Sequence, residues 1–181
     1  MCGIFGTTRR YERSIIKKKL ELMNFRGPDH TGMEEMYTPD GETLTLGHVR
    51  LSIIDLDSRS NQPFVYTDDI SIVFNGEVYN FLELKKQYLC DVTLRTESDT
   101  EVICAMYEKY GLDSVKLFNG MFAFVIYDRR KNLMVGARDR LGKKPLYYWH
   151  EGKNLEFASQ PKVIKYANDF HIDATARQFY L

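Results

Sequence analysis

The chain has 181 residues with 25 basic and 25 acidic side chains, so it carries no formal net charge. This length suits one domain or one module of a longer protein, and a neutral chain lacks the basic surface that binds nucleic acids or anionic membranes. Hydrophobic residues make up 44% and aromatic residues 13% of the chain, which argues against disorder and predicts a sizeable core.

Targeting signals and paired cysteines are both missing from the sequence. No apolar run approaches the roughly 20 residues of a membrane span, and the apolar N-terminus stops at Thr7, before a signal peptide could form. Cys2, Cys90 and Cys104 are odd in number and show neither disulfide nor zinc spacing. We predict a reduced, cytoplasmic protein with no membrane contact and no metal site.

In the first half of the chain, the hydrophobic patterns predict strands alternating with helices. Strands are predicted over residues 2–8, 32–37, 43–51 and 70–74, and helices over 14–25 and 79–88. In the first helix, Lys17, Lys18 and Lys19 are predicted to face solvent. The dipeptide Asn75-Gly76 is predicted to end the fourth strand sharply.

The second half begins with a helix and continues with two hairpins. Ser98 is a predicted N-cap that forms a capping box with Glu101, and Gly111 is the predicted stop. Hairpins are predicted over 121–138 and 145–158, and short helices near 161–166 and 174–181. This order predicts an α+β fold, in which antiparallel sheet packs against helices.

Cys2 is the first candidate for chemistry, because it directly follows the initiator methionine. Removal of Met1 would leave a free α-amine with a reference pKa of roughly 7.7–8, able to act as the base of its own thiol. If Met1 stays, that amine is blocked. The alternative is a buried cysteine in an edge strand, behaving as a small hydrophobic residue.

Asn75-Gly76 offers a side-chain amide donor beside an unhindered backbone N–H, which is the donor pair that an oxyanion hole requires. The alternative is a plain hairpin turn, since Asn-Gly is a strong hairpin signal. The helical pattern that follows Glu77 weakens this alternative.

Arg50 lies in an apolar strand, where a guanidinium needs a carboxylate partner. From the sequence alone, an internal acid is favoured over a substrate carboxylate. Asp99 stands at a helix N-terminus, where it could simply complement the helix dipole. Together with Glu77 it could instead bind an ammonium group.

Seven short motifs in fixed order carry a resemblance over nearly the whole chain. They are MCGIFG at residues 1–6, RGPD at 26–29, RLSIID at 50–55, FNGEVYN at 74–80, ESDTE at 97–101, GMFAF at 120–124 and ARDRLGKKPLYY at 137–148. With these motifs the sequence resembles the class II, or N-terminal nucleophile, glutamine amidotransferase domain. It resembles specifically the glutaminase half of asparagine synthetases.

This resemblance implies a fold and a role for each candidate. The fold would be a four-layer α/β/β/α sandwich of two antiparallel sheets. Cys2 would attack the side-chain amide of glutamine, with Asn75 and Gly76 as the oxyanion hole. The remaining roles belong to substrate binding: Arg50 for the α-carboxylate, Glu77 and Asp99 for the α-ammonium, and the backbone at Leu51 and Ile53 for the pocket wall.

The resemblance also implies a second domain that this sequence lacks. An ATP-dependent synthetase domain would receive the ammonia and bind ATP and magnesium, whereas residues 1–181 would need no cofactor. The acceptor would be aspartate or another carboxylate such as a sugar acid, and a homodimer is compatible with the family. Gln160-Pro161 departs from the family pattern, at a segment that in the family faces the synthetase domain. A catalytically inactive regulatory domain is the non-enzyme alternative, against which the presence of Cys2, Asn75 and Arg50 argues.

Overall fold

The computed structural model describes residues 1–168 as nine strands and four helices, with three short 3-10 turns. The strands are β1 (Gly3–Thr7), β2 (His30–Tyr37), β3 (Thr43–Arg50), β4 (Phe64–Val65), β5 (Ile70–Val78), β6 (Gly120–Asp128), β7 (Leu133–Arg138), β8 (Tyr147–Glu151) and β9 (Asn154–Ala158). The helices are α1 (Arg13–Glu21), α2 (Phe81–Tyr88), α3 (Asp99–Tyr110) and α4 (Pro161–Lys165). The helix predicted over 174–181 lies outside the described residues.

The strands form two antiparallel sheets. The first has five strands in the order β2-β3-β1-β9-β8, and the second has four in the order β4-β5-β6-β7. Both predicted hairpins are present, as β6–β7 and β8–β9. Because β1 lies in the middle of its sheet, Cys2 precedes a central strand and the edge-strand alternative is wrong.

Side chains alternate across each strand, so each sheet presents two faces. Both faces of each sheet are buried in cores. Ile4, Leu46, Val73 and Val125 pack in a core between the two sheets. A second core lies between the first sheet and helices α1 and α4, and a third lies between the second sheet and helices α2 and α3. Three cores separate four layers, and the predicted α/β/β/α sandwich is confirmed.

The same alternation brings polar residues to one end of the inter-sheet space. Cys2 lies two residues before the inward-facing Ile4, Arg50 lies four residues after Leu46, and Asn75 lies two residues after Val73. A period of two therefore carries all three side chains onto the inner faces. The apolar core gives way there to a polar cavity.

The predicted end of the fourth strand is wrong. β5 continues through Asn75 and Gly76 to Val78, and these residues pair with β6 from Ala123 to Gly120. A hairpin would need the chain to reverse at Asn75-Gly76, but the partner of β5 is supplied by β6, 40 and more residues later in the sequence. The plain-turn alternative for these two residues is therefore also wrong.

Two side chains in the predicted helices have unexpected partners. Ser98 caps α3 as predicted, since its hydroxyl accepts from the Thr100 N–H at 3.1 Å. Glu101 does not complete a capping box, because it accepts instead from the N–H of Thr96 at 2.7 Å.

Lys19 was predicted to face solvent but is fully buried, in an ion pair with Glu156. The other end of α3 matches the prediction, with Gly111 as its C-cap in a left-handed conformation (φ 62°).

Candidate active site

One cavity brings together every residue that the sequence predicted to be functional. It opens at the polar end of the inter-sheet space, between the start of β1, the end of β3, the C-terminal half of β5 and the start of α3. The predicted residues on its wall are Cys2, Arg50, Leu51, Ile53, Asn75, Gly76, Glu77 and Asp99.

The Cys2 sulfur is held against the backbone that follows β3. Its Sγ lies 3.4 Å from the N of Leu51 and 3.6 Å from the carbonyl O of the same residue. Burial raises the pKa of the thiol, whereas the Leu51 N–H, the chain's N-terminal charge, Arg50 and Lys144 act to lower that pKa. The carbonyl of Cys2 accepts from Arg26 Nε at 2.9 Å, which anchors the start of the chain.

Asn75 and Gly76 place two donors at this end of β5. Asn75 is 1% exposed, and its Nδ2 has no hydrogen-bond partner among the described residues. At Gly76 the backbone φ is +156°, and a Cβ would lie 2.2 Å from the carbonyl O of Met121. Only glycine fits this approach, because any side chain would collide with β6.

The backbone N–H of Gly76 is also directed away from β6. N–H groups of an antiparallel strand alternate between its two sides, and Phe74 donates to the side chain of Gln62 rather than to β6. Two residues on, Gly76 therefore directs its N–H to the same side as Phe74. The neighbouring strand β4 pairs only with Ile72 and Ser71, so it leaves this edge open.

Arg50 is buried without an acidic partner. Its terminal nitrogens donate to four neutral oxygens: Asn61 Oδ1 at 2.6 Å, the carbonyls of Asp57 at 3.2 Å and Ile54 at 3.4 Å, and the carbonyl of Asp55. None of the ion pairs within residues 1–168 includes Arg50, so the internal acid that the sequence favoured is wrong. The guanidinium charge remains available to a carboxylate from outside the chain.

Glu77 and Asp99 supply two carboxyl groups to the wall of the cavity. Asp99 is 4% exposed, and its Oδ2 accepts from the N–H of Val78 at 3.0 Å. Burial raises the pKa of Asp99 to about 6, the N–H groups of Val78 and Thr100 oppose that rise, and the charge of Glu77 adds to it. A cationic ligand would stabilise the ionised form.

Comparison with known proteins assigns the chain to a family. Residues 1–181 match the model described as a glutamine amidotransferase domain. The chain belongs to this family. It is 38% identical over 191 residues to the glutamine-hydrolyzing asparagine synthetase 1 of Bacillus subtilis, covering 100% of this chain and 29% of that protein. It is 44% identical over 172 residues to the glutamine-hydrolyzing asparagine synthetase of Asparagus officinalis, covering 91% of this chain and 28% of that protein. The chain thus spans less than a third of these relatives.

The solved structures support the same fold. The glutamine phosphoribosylpyrophosphate amidotransferase of B. subtilis superposes with a TM-score of 0.74 at 22% identity, covering 91% of this chain and 43% of that one. The four-layer arrangement of this amidotransferase domain is therefore the N-terminal nucleophile hydrolase fold that the motifs implied.

Sequence reasoning gave no role to Lys144, which also lines the cavity of the amidotransferase domain. Lys144 is 5% exposed and belongs to none of the ion pairs in the described part of the chain. Its backbone is fixed on both sides, since its N–H donates to Asp139 Oδ2 at 3.0 Å and its carbonyl accepts from Arg138 Nε at 2.7 Å. The only sequence signal for Lys144 was its place between Gly142 and Pro145 in the motif at residues 137–148.

Gln62 was missed as well, because its pattern is that of an ordinary polar loop residue. It is 6% exposed and reaches the cavity wall from the loop before β4. Residues 1–168 contain no group of three or more His, Cys, Asp or Glu side chains that could hold a metal ion. None of their helices has the length and apolar character needed to cross a membrane.

Proposed function

We propose that this chain is the glutaminase domain of an asparagine synthetase-type enzyme, which hydrolyses the side-chain amide of glutamine to glutamate and ammonia. The observation that carries the proposal is the unpartnered side-chain amide nitrogen of Asn75. It is buried on the wall of the same cavity as the Cys2 sulfur. An unpaired donor in a buried site is costly unless a ligand supplies its acceptor.

The first half of the reaction forms a thioester. With Met1 removed, the α-amine of Cys2 takes the thiol proton, and the sulfur attacks the γ-carbonyl carbon of glutamine. The developing oxyanion accepts from Asn75 Nδ2 and the N–H of Gly76. The carbon–nitrogen bond then breaks, and the leaving amide nitrogen takes the proton from the ammonium of Cys2 to depart as ammonia.

The second half regenerates the enzyme. A water molecule gives a proton to the Cys2 amine and attacks the thioester carbonyl, and the same two donors stabilise the second oxyanion. The carbon–sulfur bond breaks, the thiolate recovers its proton from the amine, and glutamate leaves.

Substrate recognition uses charged groups that form no ion pair within residues 1–168. Arg50 binds the α-carboxylate of glutamine, because its charge is buried without an acid. Asp99 and Glu77 bind the α-ammonium, which favours the ionised form of Asp99. The backbone at Leu51 and Ile53 forms the wall beside the aliphatic part of the substrate, and the side chain of Ile53 itself is 62% exposed.

A second, ATP-dependent domain uses the ammonia in this proposal. The relatives named as glutamine-hydrolyzing asparagine synthetases are more than three times as long as the matched segment. We place the amidation of aspartate, together with ATP and magnesium, in that further domain. The three free thiols, Cys2, Cys90 and Cys104, suit a reducing cytoplasm.

Glutamate release from glutamine without ATP tests this proposal. The chain with Met1 removed should release glutamate, and Cys2→Ala should lower kcat at least about a thousandfold. Cys90→Ala is the matched control and should keep full activity, since Cys90 is exposed and lies outside the cavity. A folded, processed chain with no activity at millimolar glutamine would contradict the proposal.

Selective labelling gives a second test of the nucleophile. A glutamine analogue with a reactive ketone should modify Cys2 and spare Cys90, whereas iodoacetamide should also modify the exposed Cys90. Cys104 should resist both reagents, because it is fully buried and burial raises the pKa of its thiol well above the usual value. An adduct of the analogue on Cys104 or Cys90 would remove Cys2 from its assigned role.

A further inference from the structure

The backbone of Phe74, the residue before Asn75, is held on its open side by two buried side chains. β4 pairs with β5 only at Ile72 and Ser71. Beyond that point, the N–H and C=O of Phe74 have no strand beside them. An unpaired backbone pair in a buried strand would normally be costly.

Gln62 satisfies the N–H of this pair. Its Oε1 accepts from the N of Phe74 at 2.6 Å, and its own Nε2 donates to Thr100 Oγ1 at 3.4 Å. Gln62 thereby connects β5 with the first turn of α3, which also carries Asp99. The backbone of Gln62 packs so closely on β2 that a Cβ at Gly32 would lie 2.0 Å from the carbonyl O of Gln62.

His48 satisfies the C=O from the opposite sheet. Its Nε2 lies 3.0 Å from the carbonyl O of Phe74, across the inter-sheet space. Burial lowers the pKa of His48 to about 3, so the ring is neutral at working pH. Because a carbonyl only accepts, the single ring proton is on Nε2, and Nδ1 is the nitrogen without a partner.

We infer that Gln62 and His48 are positioning residues for the oxyanion hole. They fix the peptide groups on both sides of Phe74, and the next two residues carry the donors Asn75 Nδ2 and Gly76 N–H. The inference rests on the proposed function, in which those donors stabilise the oxyanion. Neither side chain is assigned a direct contact with the reacting atoms.

The reason that two extra hydrogen bonds are needed lies in the opening of the sheet. If β4 were longer, its backbone would hold Phe74 but would also cover the N–H of Gly76. A short β4 leaves that N–H free and deprives the preceding residues of their partner strand. Gln62 and His48 replace the missing strand at Phe74 alone. They keep β5 straight, and the N–H of Gly76 remains free.

A matched pair of His48 variants tests the inference. His48→Gln places an N–H donor at the same number of bonds from the backbone as Nε2 of His48, whereas His48→Leu removes the donor at similar volume. We expect His48→Leu to lower the kcat of glutamine hydrolysis by roughly 10- to 100-fold, as for a misplaced donor. KM should stay within about threefold, and His48→Gln should restore most of kcat.

Inhibition by an aldehyde analogue of glutamine is a measurement that would not change if Gln62 and His48 had only a structural role. Its hemithioacetal with Cys2 carries an oxygen in the oxyanion position, whereas the product glutamate does not form one. His48→Leu and Gln62→Met should weaken inhibition by the aldehyde by about the same factor as kcat/KM and leave inhibition by glutamate unchanged. Rates are expressed per reactive Cys2, titrated with the ketone reagent, so that unfolded protein does not count.

The outcomes separate this inference from the proposed function. An inactive wild-type chain contradicts the proposed function itself. An active wild type whose Gln62→Met and His48→Leu variants keep normal kcat and normal aldehyde affinity overturns the inference alone. If His48→Leu fails to fold, Gln62→Met decides by the same two measurements. The effect of His48→Leu should also shrink in an Asn75→Ala background, because the donor to be positioned is already missing.

Discussion

Two buried polar clusters in this molecule differ in how completely their groups are paired. The first joins α1, β9 and α4: Lys19 Nζ lies 2.7 Å from Glu156 Oε1 and 2.8 Å from the carbonyl of Val163, and Tyr11 donates to Glu156 at 3.0 Å. The second is the cavity around Cys2. There the side chains of Arg50 and Lys144 form no ion pair in the described residues, and the amide nitrogen of Asn75 has no acceptor.

The difference is the one expected between a structural cluster and the active site that we propose. Both clusters lost water when the chain folded, and an unpaired buried polar group destabilises the fold. The Lys19 cluster recovers that loss inside the chain. The cavity recovers only part of it inside the chain, and in the proposed function the carboxylate, the ammonium and the side-chain carbonyl oxygen of glutamine supply the rest.

Breaking the paired cluster should produce the largest effect on stability. Lys19→Met leaves the carboxylate of Glu156 buried without its cation, so the free energy of unfolding should fall by about 3–5 kcal/mol. Urea unfolding measures this loss, and the neighbouring exposed Lys18→Met is the matched control. The double variant Lys19→Met/Glu156→Leu should regain much of the loss, and kcat per reactive Cys2 should stay unchanged. A loss below 1 kcal/mol, or a fall in kcat, would contradict the structural role of this cluster.

A substitution in the cavity around Cys2 should stabilise the protein instead. The folded pKa of Asp99, about 6, lies above the unfolded value of 3.8. The folded state therefore holds the proton more tightly, and that contribution is lost as pH rises from roughly 4 to 6. Above pH 6 the ionised carboxylate lowers stability, so Asp99→Asn should raise the free energy of unfolding at pH 7 by about 1–3 kcal/mol.

The stability gain from Asp99→Asn should shrink as pH falls below 6. It should also shrink when both proteins are unfolded in the presence of glutamine, because glutamine stabilises the wild type by binding the ionised carboxylate. KM for glutamine in the wild type should improve between pH 5 and 7, and Asp99→Asn should remove most of that dependence. Urea unfolding at several pH values measures the first effect, with the exposed Asp113→Asn as control. Equal gains at pH 5 and pH 7 would contradict the assignment.

Arg50→Lys should weaken glutamine use although the charge is kept. The five N–H groups of a guanidinium can hold the loop oxygens and a carboxylate together, which the three of an ammonium cannot, and a charge-assisted hydrogen bond contributes roughly 1.5–3 kcal/mol. The expected loss in kcat/KM is about 10- to 150-fold, mainly in KM. The melting temperature should also fall, because Arg50 holds the carbonyls of residues 54, 55 and 57.

Measuring both quantities on one preparation separates these two roles of Arg50. The exposed Arg59→Lys in the same loop is the control for general loop effects. A folded Arg50→Lys variant with normal kcat/KM and a lower melting temperature would leave this arginine a loop-holding role only.

The smallest effect should come from Lys144. Its charge lowers the pKa of the Cys2 thiol, which burial raises. Lys144→Met should therefore shift the pH midpoint of Cys2 alkylation upward by a few tenths of a unit to about one unit. The adjacent Lys143→Met is the matched control, because Lys143 is exposed. Equal midpoints for the two variants would show that Lys144 has no influence on the nucleophile.

Local patterns in the sequence determined the elements and the identities of the site residues. Alternation of apolar residues predicted most strands, and short motifs around Cys2, Arg50, Asn75 and Asp99 predicted eight residues that prove to share one cavity. These predictions succeeded because period and motif are properties of consecutive residues. The roles given to those residues remain predictions that the experiments above test.

Only the tertiary structure decided which buried groups are paired. Lys19 and Lys144 each lie in a run of basic residues, yet the side chain of Lys19 pairs with Glu156, 137 residues away, and the side chain of Lys144 forms no ion pair in the described part of the chain. The continuation of β5 through Asn75-Gly76 depends on β6, and the support of Phe74 depends on Gln62 and His48. Each of these contacts joins residues at least 12 positions apart in the sequence, so no local pattern contains it, and only the packing of helices, loops and sheets brings the partners together.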